Sequence, residues 1–175
     1  GASVMLRAWK LTGEQRFLEA ARLAVSRFDV PMAEGGYQAV FQPAGVPYYE
    51  EHPQHPRTAF YGYMYTLIGL FELAHFAGDS RARALWDTGI ASLEAMIPYF
   101  TLDDWTLYDR HPDDRMFNYH SPRYHRVATD CLCVLALLSG SSTLADYEAR
   151  WRAMDRPLPR AKAFVRKAAF KVLYR

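Results

Sequence analysis

The sequence predicts a mainly all-α fold of antiparallel helix pairs with a short β-hairpin. Apolar residues recur at helical spacing in several segments, and glycine or proline ends most of these segments. One stretch, 99–111, alternates apolar and polar residues around Asp103-Asp104, which is typical of a hairpin. With 175 residues, the whole chain 1–175 is treated as a single helical domain with its own core. These patterns fit part of an α/α toroid and a plain helical bundle nearly equally well.

The first half of the chain contains two helices, a β-like run, a loop and a central helix. Residues 3–11 and 14–28 form the helices, and 37–41 is the β-like run. In the loop at 47–56, three prolines exclude a helix. The central helix then runs to residue 77, and Thr58 is its predicted N-cap.

The second half contains four more helices. They are predicted over 81–97, 126–138, 144–154 and 160–174, and Pro98 is expected to close the first of them. Cys131 and Cys133 lie two positions apart on a helix and point in different directions, so we predict no disulfide between them.

Composition excludes some classes of protein. No run of about 18 apolar residues occurs, so we predict no membrane span. No signal-peptide pattern is present, and the first residue is Gly1, so we expect a fragment or a processed chain. The loop histidines lack a metal-binding spacing such as HExxH, so we predict neither a metal nor a cofactor.

The charge is uneven along the chain. Residues 156–175 carry seven basic and no acidic residues, whereas the rest carries 14 basic and 19 acidic residues. A basic helix could hold an anionic polysaccharide, a nucleic acid or an anionic membrane surface, or it could be a solvated face that packs through Ala163, Phe164, Phe170 and Leu173.

Three motifs resemble one family. The stretch YYEEHP at 48–53 precedes a helix with GYMYTLIGLFEL, and WTLYDRH at 105–111 and FNYH at 117–120 follow in order. Together with the helical opening at 3–21, they resemble the C-terminal domain of the D-glucuronyl C5-epimerases, which invert C5 of glucuronate in heparan- or heparosan-type polymers. The resemblance favours the α/α toroid, an anionic polysaccharide as partner and no nucleic acid; a homodimer stays open. It also implies that an upstream β-rich region is missing.

Uronate epimerisation needs a base, a proton donor and a group that offsets the carboxylate's growing charge. The resemblance implies that Glu51 and Tyr119 transfer the protons and that Tyr108 lies in the catalytic cleft. It implies substrate binding by Arg110, and we add Tyr49, His52 and His120 from the same loops. Each has a structural alternative: Glu51 could cap the next helix or pair with Arg57, the tyrosines could anchor loops, and Arg110 could pair with Asp109 or Asp113.

The sequence departs from the family pattern at two motifs. The YDRH motif is one residue shorter than the family's, which affects the assignment of Arg110. His52 stands where the family usually has a tyrosine. Two other functions remain open: a lyase or a hydrolase acting on a uronate polysaccharide, with Glu51 and Asp109 as the hydrolase carboxylates, and a non-catalytic polysaccharide-binding or structural fragment.

Overall fold

A computed structural model describes residues 1–111 and 115–173. The predicted helical class and the presence of a short hairpin are confirmed. The described helices are α1 (Ala2–Thr12), α2 (Gln15–Val25), α3 (Phe60–Ala77), α4 (Ser80–Phe100), α5 (Pro122–Ser139), α6 (Ser142–Met154) and α7 (Pro157–Leu173), with a 3₁₀ turn at Met32–Glu34. The described strands are β1 (Gln38–Phe41), β2 (Val46–Tyr49), β3 (Leu107–Asp109) and β4 (Asn118–Tyr119).

Consecutive helices pack as pairs: α1 on α2, α3 on α4 and α5 on α6. Two residues connect the members of each pair, so the partners run antiparallel. α3 is the centre of the fold, because it also packs against α1, α5 and β3. Its side chains Phe60, Met64, Leu67 and Leu73 are fully buried, which accounts for the strongly apolar sequence of this helix.

Two small antiparallel sheets flank the start of α3. β1 pairs with β2, and Gln38 lies opposite Tyr49. β3 pairs with β4, and Leu107 lies opposite Tyr119. The hairpin predicted over 99–111 is only partly right, because residues 99 and 100 belong to α4; a single bridge joins Thr101 and Thr106 before β3 begins.

Several predicted helix ends differ from the structure: α2 ends at Val25 rather than at 28, α5 begins at Pro122 rather than at 126, and α7 begins at Pro157 rather than at 160. Two predictions about the residues that start or stop a helix are also wrong. Thr58 does not cap α3: it has a φ of 47°, its N–H donates to Glu50, and Ala59 occupies the N-cap position. Pro98 does not close α4, which continues to Phe100. Phe100 is fully buried and stacks on Phe60 with 4.2 Å between ring centroids, and this burial offsets the backbone hydrogen bond that the proline removes.

The C-terminal helix α7 packs on α5 and β4. Ala163 and Phe170 are buried as predicted, but Phe164 and Leu173 are each 66% exposed, so their predicted burial is wrong. The predicted end of this helix at Tyr174 lies outside the described residues. Within 1–111 and 115–173, no helix is long and apolar enough to cross a membrane.

Candidate active site

The loop after β2 begins with Glu50, a buried carboxylate that holds the loop together. Glu50 is 1% exposed. Its Oε2 accepts hydrogen bonds from the Tyr48 hydroxyl at 2.9 Å and from the Thr58 and Arg57 backbone N–H groups at 2.9 and 3.2 Å; Oε1 accepts from the His52 N–H at 3.1 Å. Glu50 therefore holds the loop before α3 together; the structural alternative predicted for Glu51 was to cap that helix or to pair with Arg57.

The neighbouring Glu51 is exposed, and its side chain lies on the first turn of α3. A β-carbon built on Gly62 would come within 2.0 Å of Oε2 of Glu51, so only a glycine leaves room for the carboxylate there. Glu51, Tyr61 and Tyr65 line one groove of about 500 Å³, opposite the start of α1. No described residue donates a hydrogen bond to the Glu51 carboxylate, and Arg57, its predicted ion-pair partner, pairs with Asp109 instead.

Four tyrosines form a connected set beside Glu51. Tyr61 and Tyr65 lie one turn apart on α3, with ring centroids 4.7 Å apart. Tyr124, in the first turn of α5, contacts Tyr61 at 5.6 Å and Tyr108 at 5.5 Å, edge to face in both cases. We call these four tyrosines and Glu51 the Glu51 cluster.

Tyr108 enters this cluster because of a β-bulge. Leu107 pairs with Tyr119 and Asp109 with Asn118, so β3 has one extra residue, Tyr108. A bulge changes the direction of a side chain relative to a regular strand and is frequent near active sites. Burial raises the pKa of Tyr108, and the negative charge of Glu51 raises it further, so the phenol keeps its proton beyond the usual range of tyrosine.

Tyr119 lies on the facing strand. Its ring contacts Phe117 edge to face at 6.3 Å, and the Arg166 guanidinium carbon lies 4.9 Å from its ring centroid. None of the contacts that the structure describes for Tyr119 is with the Glu51 cluster.

His120 is fully buried behind Tyr108, and its tautomer follows from a chain of hydrogen bonds. His125 Nε2 lies 3.0 Å from the Trp151 carbonyl oxygen, which only accepts, so this nitrogen carries the proton. His125 Nδ1 then accepts from the Thr106 hydroxyl at 2.8 Å, and the Thr106 oxygen accepts from His120 Nδ1–H at 2.9 Å. His120 Nε2 is left as a bare acceptor.

Burial lowers the pKa of His120 well below its ordinary value, and the charges of His125 and Lys167 lower it further. Burial also lowers the pKa of His125. Both rings are therefore neutral near pH 7. Among the described residues, His120 Nε2 is the one buried side-chain polar atom without a hydrogen-bond partner. Because His120 is 0% exposed and contacts Tyr108 edge to face at 5.6 Å, it supports the tyrosine from the inside.

Arg110 lies in a different groove. Its Nη1 donates to the Tyr99 carbonyl oxygen at 3.0 Å, and its guanidinium carbon lies 5.8 Å from the Phe117 ring centroid. The groove, about 640 Å³, is larger than the one beside Glu51 but does not include Glu51 in its lining. Asp109, one predicted partner of Arg110, is ion-paired with Arg57, and the other, Asp113, lies outside the described residues.

Tyr49 and His52 were also predicted to bind the substrate, and the structure places them in different surroundings. Tyr49 is 2% exposed, its hydroxyl donates to the Leu85 carbonyl oxygen at 2.7 Å, and burial raises its pKa, so it packs in the core. His52 is exposed next to Glu51. In the described part of the chain, no group of three or more His, Cys, Asp or Glu side chains could hold a metal ion.

The sequence analysis missed several residues of this region. Tyr61 and Tyr65 had a usable signal, since aromatic residues four positions apart follow the acidic loop directly. Tyr124 had none, because only the tertiary packing of α5 brings it to Tyr108. Lys167 was treated as one of many basic residues, although its Nζ lies 4.8 Å from the Tyr108 ring centroid.

The fold and this site define a helical domain that presents a loop carboxylate beside a group of tyrosines. The family model for the D-glucuronyl C5-epimerase C-terminus matches residues 1–153. The chain therefore belongs to the D-glucuronyl C5-epimerase C-terminal family. α7 begins at Pro157, beyond the matched residues.

Two curated relatives are longer than this chain. A D-glucuronyl C5-epimerase of Caenorhabditis elegans is 29% identical over 141 residues, which cover 69% of this chain and 23% of the relative. An uncharacterized protein of Methanocaldococcus jannaschii is 25% identical over 148 residues, which cover 83% of this chain and 46% of the relative. The matches thus span about a quarter and just under half of the two relatives.

Proposed function

We propose that this domain epimerises C5 of glucuronate to iduronate in a heparosan- or heparan-type polysaccharide by removing a proton and adding it back on the other face. The observation that carries the proposal is the Glu51 cluster: a carboxylate without a described structural hydrogen bond next to a half-buried phenol, Tyr108, with a raised pKa. A base and a neutral proton donor in one place are what the reaction needs.

In the proposed reaction, ionised Glu51 takes the C5 proton. The electron pair of the C–H bond moves into the uronate carboxylate, which becomes an enediolate. A tyrosine hydroxyl then donates a proton to the opposite face of C5. Glu51 is left protonated and the tyrosine is left as a phenolate, and exchange with solvent resets both groups. Solvent deuterium therefore enters C5.

Two tyrosines are candidates for the proton donor. Tyr108 is supported by its place in the Glu51 cluster, where it contacts Tyr124 and lies within the influence of the Glu51 charge. Tyr119 is supported by the family resemblance, and it lies on the strand that pairs with β3. The geometry favours Tyr108.

The hydrolase alternative has less support from the described contacts. It would need Glu51 and Asp109 as its carboxylate pair. Asp109 is 5% exposed, accepts from Arg57 Nε at 3.1 Å and accepts from Asn118 Nδ2 at 2.8 Å. Its oxygens are thus engaged in holding β3, β4 and the loop before α3 together.

The experiment is deuterium incorporation at C5 of a heparosan-type oligosaccharide in heavy water, followed by NMR. Glu51→Gln and Tyr108→Phe should each lower the exchange rate by about 10²- to 10⁴-fold, the usual contribution of a positioned acid or base. Glu19→Gln changes an exposed glutamate of α2 in the same way and should leave the rate unchanged. Tyr119→Phe compares the two tyrosines directly.

Several results would contradict the proposal. If C5 exchange persists in Glu51→Gln, Glu51 is not the base. Unsaturated product indicates a lyase, and new reducing ends without exchange indicate a hydrolase. Oligosaccharide binding without exchange, unchanged by Glu51→Gln and Tyr108→Phe, supports the non-catalytic alternative.

A further inference from the structure

The helix α7, which lies beyond the residues matched by the family model, brings two cations to the candidate site. Ala163 and Phe170 are buried, so they fix the face that α7 turns toward α5 and β4. Arg166 and Lys167 lie between these two residues in the helix, and both are half-buried against the sheet of β3 and β4. Arg166 lies against Tyr119, and Lys167 lies against Tyr108.

The two cations differ in how their charge is balanced. Arg166 Nη1 donates to both oxygens of Asp104, at 2.8 and 3.1 Å, so its charge has a partner within the fold. Lys167 Nζ donates to Oδ1 of Asn118, a neutral amide. An ammonium group has three donors, and no described carboxylate forms an ion pair with this one.

A half-buried cation without a counterion is costly to maintain unless an anion joins it. Burial lowers the pKa of Lys167, whereas the more distant charge of Asp109 raises it. The ammonium group lies 4.8 Å from the ring centroid of Tyr108, beside the proposed proton donor. Arg110 does not fill this place, because its guanidinium lies at Tyr99 and Phe117.

We infer that Lys167 binds the uronate carboxylate of the substrate and offsets the charge that grows there when the C5 proton leaves. This inference rests on the proposed function, since it places the reacting sugar at Tyr108. On this inference, α7 supplies the cation that a uronate epimerase needs. One residue of the basic C-terminal segment then has a specific ligand, instead of contributing only to a general attraction for polyanions.

The test compares two ligands that differ only in the carboxylate: a heparosan-type oligosaccharide and the same oligosaccharide with its uronate carboxyls reduced to alcohols. Binding of each is measured by calorimetry to the parent chain and to Lys167→Met. The variant should bind the acidic oligosaccharide about 10- to 100-fold more weakly, the range expected for one charge-assisted hydrogen bond. It should bind the reduced oligosaccharide as the parent does.

Lys162→Met is the matched control, because Lys162 is an exposed lysine on the same helix. It should change binding of the acidic oligosaccharide less than about twofold, as expected for a screened surface charge. An equal loss for both lysines would overturn the inference in favour of a general charge effect. An equal loss for both ligands in Lys167→Met would show a structural role, and no loss for either would also overturn it.

Failure of the proposed function can be told apart from failure of this inference. If the parent binds the acidic oligosaccharide without C5 exchange, the epimerase proposal fails, while the comparison of the two ligands still tests Lys167. If the parent exchanges C5 and Lys167→Met retains both the rate and the affinity, the inference about Lys167 fails alone. A parent chain that binds neither ligand overturns the inference.

Discussion

Glu50 and Glu51 are adjacent in the chain and chemically identical, yet the structure uses them in opposite ways. Glu50 is 1% exposed and accepts four hydrogen bonds that tie the loop to β2 and to the start of α3. Glu51 is exposed and lies over Gly62 beside the tyrosines. The comparison separates a carboxylate that stabilises the fold from one that is available for chemistry.

The difference arises from the surroundings of each side chain. Glu50 follows β2 directly, whereas Glu51 lies at a bend one residue further along. Glu50 turns to the interior, where it meets the donors of the loop and of Tyr48. Glu51 turns to the groove. The hydrogen bonds of Glu50 thus fix the loop, and the fixed loop holds Glu51 in place. Residues that support an active-site group in this way determine its orientation.

The largest expected effect on stability is therefore at Glu50. Glu50→Ala leaves several buried donors unsatisfied, and we expect it to lower the free energy of unfolding by about 3 to 5 kcal/mol. Glu51→Ala should change it by no more than about 0.5 kcal/mol, as for other exposed positions. Urea unfolding followed by circular dichroism measures both. Equal effects of the two substitutions would refute the division of roles.

A smaller effect is expected at Gly62, the floor under Glu51. A β-carbon there would lie 2.0 Å from Oε2 of Glu51, so Gly62→Ala should push the carboxylate away and lower C5 exchange by about 10- to 100-fold. The free energy of unfolding should change by less than about 1 kcal/mol, since alanine favours a helix.

Gly69→Ala is the matched control for Gly62. It lies two turns further along α3, and its β-carbon would meet the nearest atom, Ser3 N, at an ordinary contact distance of 3.8 Å. This variant should keep the parental exchange rate. If Gly62→Ala also keeps that rate, the position of Glu51 over α3 does not matter for the reaction.

Much of this fold could be predicted because helical periodicity and glycine stops are local signals. The errors occurred where tertiary contacts compete with those signals. Pro98 stays inside α4 because Phe100 is buried against Phe60. Thr58 does not act as the cap because Glu50 takes its N–H.

The candidate site was less predictable, since it depends on contacts between residues that lie far apart in the sequence. The sequence indicated Glu51 and Tyr108, but it did not separate the role of Glu50 from that of Glu51. It placed Arg110 in the site from a family motif that is one residue shorter here, whereas the structure places its guanidinium at the Tyr99 carbonyl. No local pattern in the sequence predicted a role for Lys167. It contacts Tyr108, which precedes α5 in the chain, whereas Lys167 itself follows α6.

The smallest effect we predict concerns pH and two buried histidines on the structural side of the site. His120 and His125 have lowered pKa values in the folded chain, because burial disfavours their charged forms. In the unfolded chain they titrate near about 6.5, so the unfolded state binds more protons as the pH falls through that value. The stability that they contribute is present above about pH 6.5 and is lost below it.

Between pH 7.5 and pH 6, the two histidines together should lower the free energy of unfolding by roughly 1 kcal/mol. His120→Gln should remove about half of this combined loss, even if it lowers stability at every pH. A loss of the same size in the parent chain and in His120→Gln would mean that groups other than His120 titrate. The dependence expected from Tyr108 has the opposite sense. Because its pKa is raised in the folded chain, the stability that it contributes is lost as the pH rises above about 10, where the phenol of the unfolded chain ionises.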